Sequence, residues 1–345
     1  MRGHVETVYG KIEEQLSRLG DYIVVTTDPA WRLCEPRFRS KPPREVVEID
    51  SLDEDYLNGV YARRLEKEAS GKPIIVGVGG GTVLDAAKYF AYRQGTVPVL
   101  IPSITSTNAP FTDFISIRRG GGPFGFKVDG YPKKIVVDAA LIQMADPRFN
   151  RAGYGDLLYM QTTLNDWVIS SRSGIGEPLL PEIAGQITGI VNAAIAGASD
   201  IGAITEAGIR ALMENTRISS ELYMANLRLP IGSGSEHLFS WNLELVTKKH
   251  LIHGETVALG IVIASFLQAR HMADSRHIEL RRALDEARVM YEPDRIGVAW
   301  EEIERTLRTV EAYNRDVRRF HTVFGKTEWT DDLLQGVRTY IYGEG

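Results

Sequence analysis

Two hydrophobic rhythms divide the chain. In the first half, short apolar runs rich in β-branched residues, at positions 22–25, 46–49, 74–78, 97–101 and 135–137, alternate with stretches of helical spacing. Strand and helix taking turns in this way predicts a parallel sheet with helices on its faces. The clearest of those helices are predicted over residues 53–69, with Asp53 in the N-cap position, and over 82–93, directly after three glycines. Residues 114–128 read as strand, glycine turn at 120–122, strand, and so as a β-hairpin. Beyond Pro147 the strand rhythm stops. The rest of the chain has helical periodicity broken at Gly174, Pro178, Pro181, Gly232 and Pro293. The expected fold class is α/β: an N-terminal Rossmann-like parallel-sheet domain over residues 1–147, then an all-α domain over 148–345.

Composition narrows the partners. The 345 residues are 43% hydrophobic and 25% charged, enough apolar surface for two cores. A net charge of -5 and the lack of any long Lys/Arg run leave no electrostatic footprint for nucleic acid, so a small-molecule substrate is expected. The longest uncharged stretch, 183–199, holds Gln186, Thr188, Asn192 and Ser199 and is too short to span a bilayer; it reads as a buried helix, without membrane insertion. The single cysteine, Cys34, has no disulfide partner within the chain and reads as a small core residue. The opening residues carry alternating charges instead of the apolar block of a secretory signal, so a cytoplasmic location is expected.

Residues 74–88, Ile-Ile-Val-Gly-Val-Gly-Gly-Gly-Thr-Val-Leu-Asp-Ala-Ala-Lys, form an apolar strand, a glycine turn and the start of a helix. Gly79, Gly80 and Gly81 let the backbone approach a pyrophosphate, and the first helical turn, at Thr82, presents free N–H groups and the positive end of the helix dipole. The spacing departs from GxGxxG, since Thr82 stands at the last glycine's place, so a plain tight turn explains the glycines equally well. Asp28, closing the string Thr26-Thr27-Asp28 after the first apolar run, is placed to accept hydrogen bonds from ribose hydroxyls. That role favours NAD, with NADP as the alternative; an Asx-turn explains the same residue. The loop over 102–113 is dense in hydroxyls, with Ser103, Thr105 and Ser106 assigned to the cofactor and Thr107 and Asn108 to the substrate.

A carboxylate and two imidazoles complete the candidate chemistry: Asp156 in Gly-Tyr-Gly-Asp, His237 in Gly-Ser-Gly-Ser-Glu-His, and His253 in His-Gly-Glu. Such a set would make an open site for zinc, or for ferrous iron, which would bind a substrate hydroxyl and lower its pKa; by spacing alone the three are far apart, and surface or satisfied core histidines are the plainer account. His250, three residues before His253, would share its helical face and relay the released proton; a solvated histidine beside Lys248 and Lys249 is the plainer account. His321 is a weaker candidate.

The string GGGTVLDAAK resembles the GGGS-x-x-D-x-x-K signature of the superfamily of iron-containing alcohol dehydrogenases, glycerol dehydrogenases and dehydroquinate synthases, and the likeness extends over most of residues 71–260. The resemblance implies a dehydroquinate synthase-like fold, cofactor roles for Asp85 and Asp28, and metal-ligand roles for Asp156, His237 and His253, whose local strings match the superfamily's in the same order. It implies metal-dependent hydride transfer between NAD(P)(H) and a small polyol or polyol phosphate, with zinc as the metal, and a homo-oligomer. The loop 102–113 resembles the P-T-x-x-S-T-D-A-P loop of glycerol dehydrogenases, but Asn108 replaces their aspartate and cannot act as a base. The strings around His237 and His253 look closer to glycerol-1-phosphate dehydrogenases, which reduce dihydroxyacetone phosphate. Arg118, Arg119 and Lys127 on the hairpin are candidates for a phosphate, against the plainer reading of exposed charges. The alternative within the superfamily is a sugar-phosphate cyclase of the dehydroquinate synthase kind. Its relatives carry basic residues soon after the hydroxyl-rich loop, where this chain has no Lys before Lys127. A catalytically silent nucleotide-binding protein would have lost a ligand or the glycine turn, and neither is lost.

Overall fold

The computed structural model describes residues 5–66, 72–120, 122–128 and 134–343. Residues 67–69 at the end of the helix predicted over 53–69, Gly121 of the hairpin turn, Gly71 and Lys133 lie outside them. The chain divides into two compact units, Met1–Asn150 and Arg151–Gly345, and the division falls within the first turns of the long helix Pro147–Arg172.

The first unit is built on β1 (Glu6–Tyr9), β2 (Tyr22–Thr26), β3 (Glu45–Glu48), β4 (Ile74–Gly79), β5 (Val99–Pro102) and β8 (Lys134–Val137), all parallel, in the order β1-β8-β5-β4-β2-β3. Register sets Val24 opposite Val76 and Val76 opposite Val99. Helices cover the sheet, so the central strands bury nearly every side chain; Val24, Val76, Val78, Ile101 and Val136 form the core against Leu16 and Phe38. The strands β6 (Phe114–Arg119) and β7 (Gly122–Lys127) pair separately as the expected antiparallel hairpin, with Phe114 opposite Lys127. Helix Glu54–Arg64 opens as the pattern implied: the Asp53 carboxylate accepts from the N–H groups of Asp55 and Tyr56. The pattern did not anticipate β1. It is a four-residue edge strand with no residue fully buried, and its state comes from pairing with β8.

The adjacent strands β5, β4 and β2 bring their carboxyl ends together, the usual seat of a ligand in such sheets. Two bonds fix those ends: the Thr26 hydroxyl donates to the Val78 carbonyl at 2.8 Å, and the Ser103 N–H to the Gly79 carbonyl at 3.0 Å.

The second unit contains helices and, among the described residues, no strand. Helix His253–Gln268 runs through its core with nearly every residue buried, and helices Pro147–Arg172, Ser235–Thr247 and Trp300–Tyr313 contribute to the same apolar cluster. The stretch expected as a buried helix over 183–199 is instead helix Pro181–Ala196, which buries one stripe, Ile187, Ile190, Val191 and Ala194, and leaves Gly185, Gly189, Ala193 and Ala196 facing solvent. Among the described residues no helix is long and apolar enough to cross a membrane.

Candidate active site

In the first unit the glycine turn connects β4 to helix Gly81–Gln94. Gly80 is its N-cap and offers no side chain to the free N–H groups of the first turn, which leaves them available to an anion. The turn lies under the hydroxyl-rich loop: a Cβ on Gly80 would sit 2.7 Å from the Ile104 side chain, and one on Gly81 would sit 3.0 Å from the Thr107 hydroxyl. Thr82 is exposed beside them, and Ser106, Thr107 and Asn108 are half-buried. Ser103 and Thr105 are buried, and Thr105 is committed to Asn150: its N–H donates to Oδ1 and its hydroxyl to the backbone carbonyl, each at 3.0 Å.

Asp85 is also buried, with its carboxylate 2.7 Å from the Lys88 ammonium. Burial pushes its pKa up and Lys88 pulls it back. Lys88 further donates to the carbonyls of Ala109 at 2.8 Å and Phe114 at 2.6 Å, so the pair fastens the end of the loop to the helix that begins at the turn. Asp28 begins helix Asp28–Cys34, just past β2; its half-exposed carboxylate accepts from Arg32 Nε at 2.9 Å. On the hairpin, Arg119 pairs with Glu54 and stacks on Phe124, and Lys127 lies 3.4 Å from Asp113, so neither is a free cation for a phosphate.

In the second unit Asp156, His237 and His253 converge. Asp156 Oδ1 is 3.4 Å from Nε2 of each histidine, and one ligand atom from each residue lies within 4.8 Å of the other two. Asp156 comes from helix Pro147–Arg172, His237 from the first turn of helix Ser235–Thr247, and His253 is the first residue of helix His253–Gln268. Burial opposes ionisation of Asp156, but the two imidazoles outweigh it and hold its carboxyl at about 2. Burial likewise disfavours a charged His237, yet hydrogen bonds to Asp156 and Glu236 push it up to about 9.

Glu236 is fully buried, and sequence reasoning assigned it no role. Its Oε1 lies 2.8 Å from His237 Nδ1 and accepts from the Gly234 N–H at 2.7 Å and the Thr163 hydroxyl at 3.0 Å, while Oε2 accepts from Thr162 at 2.8 Å. A carboxylate on Nδ1 fixes the tautomer that turns Nε2 toward Asp156. Tyr159 meets the His237 ring edge-on at 4.8 Å and walls it from solvent, whereas the His253 side chain stays 40% exposed and forms the open side. One buried carboxylate and two imidazole nitrogens at this spacing suit a four-coordinate divalent cation with a free position.

The helical face expected for His250 does not exist. Lys248, at φ 58°, ends the preceding helix, and the next begins only at His253, so His250 is exposed in the connecting loop. His321 lies outside the triad, against Gly176.

Residues 10–146 match the family model described as iron-containing alcohol dehydrogenase. The chain is 30% identical over 311 residues to the glycerol-1-phosphate dehydrogenase [NAD(P)+] of Hyperthermus butylicus, covering 88% of this chain and 86% of that one. It is 28% identical over 328 residues to the enzyme of the same name from Staphylothermus marinus, covering 94% and 82%. A probable glycerol dehydrogenase from Sinorhizobium meliloti shares the fold, with a TM-score of 0.71 at 20% identity over 99% of this chain and 98% of the other.

Proposed function

We propose that this chain, which belongs to the iron-containing alcohol dehydrogenase superfamily and is an NAD(P)-dependent polyol dehydrogenase, acts on a phosphorylated polyol, reducing dihydroxyacetone phosphate to glycerol 1-phosphate. The converging triad of Asp156, His237 and His253 carries the reading, together with the family it shares with the glycerol-1-phosphate dehydrogenases. Asn108 in place of an aspartate argues against free glycerol, because an amide carries no charge and accepts no proton.

The work is divided among residues of both units. Gly79, Gly80, Gly81 and the first-turn N–H groups at Thr82 bind the cofactor's pyrophosphate, and Ser106 contacts it from the overlying loop. Ser103, Thr105 and the Asp85–Lys88 pair hold that loop against the turn. Asp28 accepts from the ribose and favours NAD, while Arg32 beside it is a ready partner for a 2′-phosphate. Asp156, His237 and His253 would hold zinc, which supplies Lewis acidity toward the substrate oxygen. Glu236 fixes His237. Asn108 and Thr107 orient the substrate.

The test is the loss of NADH absorbance in zinc-replete protein offered dihydroxyacetone phosphate, dihydroxyacetone and a heptulose phosphate in turn. Stoichiometric oxidation with dihydroxyacetone phosphate, weaker oxidation with dihydroxyacetone and none in His253→Ala is the expected result. Consumption of the heptulose phosphate without net NADH oxidation would give the site to a cyclase instead.

A further inference from the structure

A cavity of about 400 Å³ opens in the helical unit beside the helix that carries Asp156, two to four turns beyond that residue. Trp167, Tyr223 and Phe320 supply aromatic walls, and Arg228 and Arg319 stand exposed at its rim. Among the described residues neither guanidinium has an acidic partner, although Arg217, Arg276, Arg295 and Arg308 of the same unit all do. Among the described residues the two acids that line the cavity form no ion pair with them: Asp166 is committed to the N–H and hydroxyl of Ser235, the Val323 N–H and the Gln268 amide, and Glu177 stands exposed.

One detail marks the cavity as built for a ligand, and another fixes Arg319 at its rim. Arg319 is the left-handed cap of the preceding helical turn, φ 60°, as Lys248 is of its own helix. The loop is clamped in that conformation by Asn314, a buried side chain whose amide donates to the Phe320 carbonyl at 2.9 Å and accepts from the Phe320 N–H at 2.8 Å. Next, Thr322 is 6% exposed, lines the cavity, and its hydroxyl has no hydrogen-bond partner. A buried hydroxyl left unmade costs free energy that an incoming acceptor would recover.

We propose that this cavity is a second ligand site, taking a small organic phosphate whose oxyanion meets Arg228, Arg319 and the Thr322 hydroxyl and whose carbon part lies on the aromatic walls. None of the triad residues lines it. Gly234 and Thr163, which line it, both bond Glu236, and Glu236 in turn bonds His237 on Nδ1, the nitrogen turned away from Asp156. The cavity thus lies behind the triad, with a buried carboxylate between.

Calorimetric titration of the zinc-loaded protein with phenyl phosphate tests this, because that ester has no carbonyl or alcohol to exchange a hydride. One saturable equivalent is expected. Arg228→Gln/Arg319→Gln should weaken it at least tenfold, and Thr322→Val, which removes a hydroxyl the fold does not use, several-fold. Both variants should keep kcat/KM for NADH oxidation within twofold. Absence of saturable binding, equal binding in the variants, or turnover lost in step with binding would overturn the second site. The calorimetric result stands whether or not dihydroxyacetone phosphate proves to be the substrate.

Discussion

Gly155 lies backbone to backbone against Gly254: a Cβ on Gly155 would sit 2.2 Å from the Gly254 carbonyl oxygen, and one on Gly254 would sit 1.9 Å from the Ala152 carbonyl oxygen. Each glycine adjoins a member of the triad, Asp156 or His253. The two helices approach closely enough to share a cation only because neither has a side chain at the contact. The same device recurs at Gly260, where a Cβ would meet the Glu236 carbonyl at 2.5 Å and push away the helix of His237.

Gly155→Ala and Gly254→Ala should therefore lose metal and stability together. Backbone cannot rotate aside as a side chain can, so the cost is at or above the ~1–3 kcal/mol usual for overpacking. Thermal unfolding alongside metal content after desalting checks it; a variant that keeps both Tm and one bound metal would refute the close-contact account.

Replacing Glu236 by Gln keeps an acceptor for Gly234 but removes the charge that orients His237. Loss of such a partner typically weakens metal affinity by about 10–100-fold. Competition against a chromogenic chelator would measure it, and an unchanged affinity would mean that His237 needs no support from Nδ1.

Burial and the nearby Glu236 carboxylate push Asp166 up to about 7, while its hydrogen-bond donors pull the other way. An acid raised in the folded state stabilises it below the ordinary carboxylate pKa, and that contribution is lost as pH rises through about 7. Denaturant unfolding of wild type and Asp166→Asn should show the wild-type advantage shrinking from pH 4.5 to 7 by at most roughly 1.4 kcal/mol per pH unit. A difference independent of pH would show that Asp166 stays ionised throughout.

Lys88→Met leaves Asp85 buried without its counter-ion and frees the carbonyls of Ala109 and Phe114, a change that usually costs ~3–5 kcal/mol. Adding Asp85→Leu should recover part of the loss in a double-mutant cycle. Additive losses would mean that the carboxylate and the ammonium do not depend on each other.

Much of the fold could be read in the residues, and the reasons differ from place to place. The central strands announced themselves because both faces are covered, which demands the unbroken apolar runs of β2, β4 and β5. The strand β1 did not, since four residues at a sheet edge owe their state to a partner far along the chain. Asp156, His237 and His253 were legible through the strings around them, whose glycines reflect the close contacts between their helices. Glu236 was not: an acid beside a histidine is common, and its role exists only once Thr162, Thr163 and Gly234 surround it. His250 misled because spacing alone cannot reveal that Lys248 turns left-handed and ends the helix. Asn150, which holds Thr105, is an asparagine with no local pattern at all.

The pairing of β1 with β8 also governs the order of assembly. As the chain emerges from the ribosome, Glu6–Tyr9 has no partner until Lys134–Val137 has been made, so the first strand synthesised is the last to join its sheet. Until then the flank of β8's future neighbour, β5, is an open edge able to pair with another chain. Slow translation between β5 and β8 would prolong that exposure.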